Sequence, residues 1–176
     1  VATYSNNNTI LKVLGCKLNH KYEYQLVEKI LVKIPKEFLK DSYVIIDGDF
    51  VNIDPYLGTN YHLLSDVIHS KIEKIKSYEP IFKDKRKKYI NKGLIKDKGI
   101  SKFNKFIEHS KTYLPFLSKA KYIGSYYTVR TILPNLEKTD ERIGVINQVD
   151  GKFISIFSSK WNSCISTAYK IDNIIK

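Results

Sequence analysis

An Asp-Gly pair at positions 150 and 151 separates two β-rich runs, residues 143–149 and 152–157. Both central residues of a type I′ turn need positive φ, which Asp tolerates and Gly adopts freely. The pair therefore predicts a tight antiparallel hairpin, and any fold for this chain has to accommodate one. The second run, Phe153-Ile154-Ser155-Ile156-Phe157, leads into Ser158-Ser159-Lys160-Trp161-Asn162. Beyond it, Cys164, Ala168, Ile171 and Ile175 recur at helical spacing and predict a closing helix. The first N–H groups of such a helix have no partner inside it. Ser158 or Ser159 can simply cap them. Alternatively, their partial positive charge can hold an anion or the polar edge of a cofactor.

The rest of the chain reads as an α+β pattern. Residues 5–14 predict a short helix, with Ser5 and the Asn6-Asn7-Asn8 run as N-caps and Gly15 as its end. Residues 21–35 predict a long strand, because Tyr22, Tyr24, Leu26, Ile30, Val32 and Ile34 share one parity. Glu28 interrupts that apolar face, and a lone acid there is expected at the sheet rim beside a lysine. Residues 43–46 and 51–55 predict a hairpin or bulged strand pair around Asp47-Gly48-Asp49-Phe50. Asp47, Asp49 and Asp54 lack the spacing and terminal glutamate of a calcium loop and are expected as turn formers. Residues 61–72 predict one further strand. His62 and His69 lie seven apart, on opposite faces of a regular strand, and so form no ligand pair. Residues 74–98 predict a basic surface loop with a short helix near 85–94. An amphipathic helix then turns Ile100, Phe103, Phe106, Ile107 and Tyr113 inward. A second helical turn follows at Leu114-Pro115-Phe116-Leu117, and a strand at residues 126–133 carries Arg130.

Composition narrows the function classes. The formal charge is +12, but lysine supplies nearly all of it, spread along the chain, and residues 83–88 form the one true cluster. With three arginines and no nucleic-acid motif, nucleic acid is not the expected partner. Cys16 and Cys164 stand far apart without metal spacing and fit a reducing, cytoplasmic compartment. No run approaches the roughly 18 apolar residues of a membrane span. The chain contains no methionine and begins at Val1, and it reads as a fragment or processed product.

Four strings carry a resemblance. They are Val129-Arg130-Thr131-Ile132-Leu133-Pro134, Thr139-Asp140-Glu141-Arg142, Asp150-Gly151-Lys152, and Phe157-Ser158-Ser159-Lys160-Trp161. Together they resemble the C-terminal part of FAD-dependent oxidoreductases of the D-amino-acid oxidase superfamily. The resemblance implies that residues 1–20 end the FAD-binding half and connect onward. Residues 21–133 would be a substrate domain with a mixed or antiparallel sheet and flanking helices. Residues 134–176 would be the hairpin and helix that complete the FAD-binding domain. It further implies FAD as cofactor and oxidation of a C–N or C–O bond in a small anionic amino or hydroxy acid. Arg130 would pair with the substrate anion through two parallel hydrogen bonds. Asp47 and Phe50 would line the substrate side, and Ser158, Ser159, Lys160, Trp161 and Asn162 would hold the flavin. No side chain is assigned a catalytic role, since the flavin itself accepts the hydride. Against an arginine facing substrate stands a structural Arg130 paired with Glu137, Asp140 or Glu141.

Two features depart from the family pattern. Serine stands at 159 where relatives carry glycine. No Gly-x-Gly-x-x-Gly turn occurs in the chain, so the dinucleotide-binding segment would have to be supplied from outside it. Two other readings keep their place: a non-catalytic basic module for nucleic acid, using residues 83–98, and a protein-binding domain.

Overall fold

Twelve residues, Tyr22–Lys33, form strand β1. Its apolar parity positions are buried from Tyr22 to Val32, with Lys29 and Lys33 exposed. The structure, a computed structural model, describes residues 1–18, 20–46, 48–134, 144–149, 151–157 and 163–176. Asp47, the acidic connector at 135–143, Asp150 and the junction at 158–162 lie outside the described residues. The architecture is mixed α+β, with an antiparallel sheet and few helices. Strands β2 (Tyr43–Ile45), β3 (Val51–Tyr56) and β4 (Tyr61–Asp66) run in the order β2-β3-β4-β1. Strands β5 (Lys71–Ser77) and β6 (Lys121–Ile132) also pair with β1. By its contacts the chain divides into two compact units.

One unit comprises Leu26–Glu73 and Phe82–Thr128. Its ladder places Ile30 opposite Leu64, Leu64 opposite Ile53, and Ile53 opposite Tyr43. Helix α2 (Phe103–Ser110) buries Phe103, Phe106 and Ile107 against this face. The expected inward Tyr113 is 42% exposed, because the helix ends before it. The helical turn expected after residue 114 is a 3-10 turn at Pro115–Lys119, and Phe116 stacks on Phe38 at 4.1 Å between ring centroids.

Three further expectations fail. The strand predicted over 61–72 stops at Asp66, whose carboxylate accepts the N–H groups of Ile68 and His69 and so stabilises a turn instead of a ladder. Part of the predicted basic loop is strand β5, and the only helical piece near 85–94 is a 3-10 turn at Lys85–Tyr89. Glu28 is not at a rim beside a lysine but fully buried.

His62 sits opposite Val32 and Pro55 and is 1% exposed, with neither ring nitrogen in a well-formed hydrogen bond. Burial lowers its pKa, opposed by the Asp41 carbonyl and the Asp54 and Asp41 carboxylates. A folded pKa below the unfolded one means the unfolded chain takes up the proton first. The His62 contribution is therefore intact above about pH 6.5 and is lost as pH falls from there toward the folded pKa. His62→Leu should flatten the fall in urea midpoint between pH 7 and pH 5. The slope removed is at most about 1.4 kcal/mol per pH unit, and equal slopes in the two proteins would exonerate His62.

The other unit comprises Val1–Gln25, Lys74–Ile81 and Val129–Lys176. Helix α1 (Asn7–Val13) is preceded by a 3-10 turn and ends at Gly15, whose φ of 75° suits glycine. No side chain caps its start. Instead Asn7 accepts from the Thr3 N–H and donates to the Ile156 carbonyl. The predicted hairpin is present as β7 (Val145–Val149) and β8 (Phe153–Phe157), with Val149 opposite Phe153 and Gly151 at φ 65°. The closing helix is α3 (Cys164–Ile175). Its spaced apolar residues are not core, for no residue of α3 is buried, and Ile175 is 72% exposed. No described helix is long and apolar enough to cross a membrane.

Candidate functional site

The turn after β4 gathers two histidines and two aspartates. Asp66 is 0% exposed, and its Oδ1 takes the Ile68 and His69 N–H groups at 2.7 and 3.0 Å. Its carbonyl accepts from Ser70. Lys102 closes the turn from the other side, donating to the carbonyls of His69 and Lys71 at 3.0 and 2.7 Å. Burial pulls the Lys102 pKa down, helped by Arg86 and opposed by Glu28. The turn is thus held at both ends, which fixes where His69 stands.

His109 reaches the same place from the last turn of α2. Its Nδ1 is 2.8 Å from Asp66 Oδ2. An ionised carboxylate only accepts, so Nδ1 carries a proton here, and in the neutral ring Nε2 is the lone-pair nitrogen. Nε2 is buried, has no hydrogen-bond partner, and lies 3.8 Å from Asp49 Oδ2. The His69 and His109 rings meet edge to face with centroids 5.5 Å apart. One donor atom each from Asp66, His69 and His109 falls within 4.8 Å of the others. Asp49 comes from the segment before β3, held there by Val51 pairing with Asp66 and by the Val67 N–H donating to the Phe50 carbonyl.

Sequence reasoning missed this cluster. It excluded His69 by assuming a regular strand and gave His109 no role. The one local signal was Asp66-x-x-His69, the spacing of an aspartate-capped turn.

The predicted site residues are placed as follows. Phe50, expected on the substrate side, is 44% exposed and adjoins Asp49 of the cluster. Asp47, expected beside it, lies outside the described residues, as do Ser158, Ser159, Lys160, Trp161 and Asn162. Arg130 is half-buried on β6, and its Nη1 donates to Gln25 Oε1 at 3.4 Å, a long bond to a neutral amide. Its alternative partners Glu137, Asp140 and Glu141 are also outside the described residues. The basic cluster at 83–88 is partly neutralised internally. Arg86 makes a fork of 2.7 and 2.8 Å to Asp84, and that guanidinium holds the Asp84 carboxyl at about 2.

Glu28 anchors a second polar centre. Its Oε1 accepts from the hydroxyls of Ser101 and Ser125, each at 2.6 Å, and from Tyr127 at 3.3 Å. Its Oε2 accepts the Lys102 N–H at 3.0 Å. Every donor here is a protein group, and the arrangement satisfies a buried carboxylate as a structural knot does. Lys102 links the two centres, with its backbone on Glu28 and its ammonium on the histidine turn. Compared with known proteins, the chain matches no family model, and no curated protein or solved structure resembles it at a significant level.

Proposed function

We propose that this chain is the substrate-side and C-terminal portion of an FAD-dependent oxidoreductase of the D-amino-acid oxidase type. It would oxidise a C–N or C–O bond of a small anionic substrate. The observation that carries the reading, beside the sequence resemblance, is how the two ends of the chain are joined. The Val1 amino group donates to the Ile154 carbonyl at 2.6 Å, and the Ile156 N–H donates to the Val1 carbonyl at 2.8 Å. Residue 1 therefore hydrogen-bonds like a strand neighbour of β8. Residues from both chain ends form one unit, as expected of a cofactor half built from separated segments.

The fit of residues 158–162 to flavin rests on order alone: strand β8 ends at Phe157 and α3 begins at Cys164. That strand-to-helix junction would hold the flavin through Ser158, Ser159, Lys160, Trp161 and Asn162. When bound, flavin supplies the hydride acceptor. The chain's own contribution is orientation: Arg130 would clamp the substrate anion, and the Gln25 amide keeps the guanidinium from swinging freely.

The test is to read the gene in frame upstream of Val1 and purify the whole encoded protein. A Gly-x-Gly-x-x-Gly turn and a visible flavin spectrum, bleached by an amino or hydroxy acid, are the expected results. Arg130→Ala should then raise KM for that acid about tenfold or more, the equivalent of one charged hydrogen bond. A whole protein that neither carries FAD nor takes it up would overturn the proposal.

A further inference from the structure

We propose that His69, His109 and Asp49 bind a divalent transition-metal ion of the zinc class, with Asp66 as the carboxylate that orients His109. The argument starts from a mismatch of charge. With His109 neutral, Asp66 holds its proton on Nδ1, Nε2 presents a lone pair, and the group facing it is the acceptor-only carboxylate of Asp49 at 3.8 Å. A buried acceptor without a donor costs about 1–3 kcal/mol. Two acceptors facing one another are reconciled by a cation between them. A proton on Nε2 is one such cation, but 3.8 Å is too long for the hydrogen bond it would make. A metal ion suits the separation better. Ligand atoms on tetrahedral zinc stand about 2.0–2.2 Å from the ion, hence about 3.4 Å from each other.

Two further observations favour the metal. His69 brings a second imidazole to the cluster, with one donor atom each of His69, His109 and Asp66 within 4.8 Å of one another. Imidazole with carboxylate is a donor set that zinc, nickel and iron accept. In addition, a carboxylate on the far nitrogen of a histidine is the usual outer support of a ligating imidazole, fixing its tautomer and raising its basicity. Asp66 has that place, fully buried and held by two backbone N–H groups. Asp49 is 57% exposed at its side chain, with its Oδ2 3.8 Å from His109 Nε2. Three protein ligands leave a position for water or a substrate oxygen. The inference does not depend on the flavin reading.

The whole protein, stripped with a chelator and exchanged into metal-free buffer, is titrated with Co²⁺ and with Zn²⁺. Cobalt is expected to give visible absorption bands that saturate at one equivalent and are displaced by zinc. His69→Gln and Asp49→Asn, both at partly exposed side chains, should fold and each weaken zinc binding by tenfold or more. Asp66→Asn should weaken it by about 10–100-fold, the usual effect of an outer partner. No cobalt band in the unaltered protein, or stoichiometric binding that persists in the His69→Gln/Asp49→Asn double variant, would overturn the proposal. The first result would leave a proton as the only cation between His109 and Asp49. Because metal binding does not require FAD to be present, failure of the flavin proposal leaves this test unchanged.

Discussion

Glu28→Ala is expected to destabilise the protein by roughly 3–5 kcal/mol, the range for stripping one partner from a buried charged network. The wild-type carboxylate collects three hydroxyls and one backbone N–H in a fully buried position. Removing it leaves those donors facing a cavity, at about 1–3 kcal/mol for each that finds no substitute. Ser125 has one nearby, since the Tyr122 hydroxyl is 3.0 Å away and Ser101 is 3.2 Å away. The Lys102 N–H loses the Glu28 oxygen it donates to. Glu28→Gln keeps the shape but turns one oxygen into a donor, and an intermediate loss is expected. Urea unfolding at neutral pH measures both. A loss below about 1 kcal/mol for the alanine variant would show that the hydroxyls reorganise among themselves. A second readout is specific to charge. Burial and the Glu28 carboxylate together push the Tyr127 phenol well above its ordinary pKa. In Glu28→Gln the Tyr127 phenol should ionise at lower pH, seen in the alkaline absorbance titration, even where stability is little changed.

The elements legible in the sequence are those whose signal is local and periodic. Alternation marked β1, the Asp-Gly pair marked the β7–β8 hairpin, and helical spacing marked α2 with Phe103, Phe106 and Ile107 inward. Periodicity also located α3, but it reports only that one helical face is apolar. It does not say whether the chain covers that face, and here Cys164 is exposed and Ile175 stays 72% exposed. The polar centres were illegible for a different reason. Glu28 meets Ser101 and Ser125 from 73 and 97 residues away, and His109 meets Asp66 across 43. No window of sequence contains both partners. The strand prediction over 61–72 failed where a side chain outcompeted the ladder, with Asp66 capping its own turn. That single event moved His69 off the strand and into reach of His109. Of the candidate site read from the sequence, Arg130 and Phe50 have described positions, while Asp47 and residues 158–162 do not.

Phe157→Ala should lower stability by about 3–5 kcal/mol, the range for truncating a buried phenylalanine. Phe157 is 1% exposed, at the end of β8. Its ring lies 4.8 Å from Tyr22 and 5.8 Å from Tyr4, centroid to centroid, stacked parallel on the latter. Each aromatic pair adds about 0.5–1.5 kcal/mol beyond burial. Tyr4 is itself pinned, since its hydroxyl donates to the Thr131 carbonyl and accepts the Thr131 N–H, both at 2.9 Å. It therefore cannot follow a smaller residue into the space, and the cavity persists. At about 2–4 °C per kcal/mol for a chain of this size, the midpoint should fall by roughly 6–20 °C. Phe157→Leu retains most of the volume and should recover more than half of the loss. On the flavoenzyme reading the same change has a functional consequence, because Phe157 directly precedes the junction assigned to the cofactor. FAD release from the whole protein should then rise together with the loss of stability in Phe157→Ala, and both should be milder in Phe157→Leu. A stable Phe157→Ala protein that sheds FAD would locate the effect at the junction itself. An unstable one that keeps FAD would count against residues 158–162 as the flavin contact.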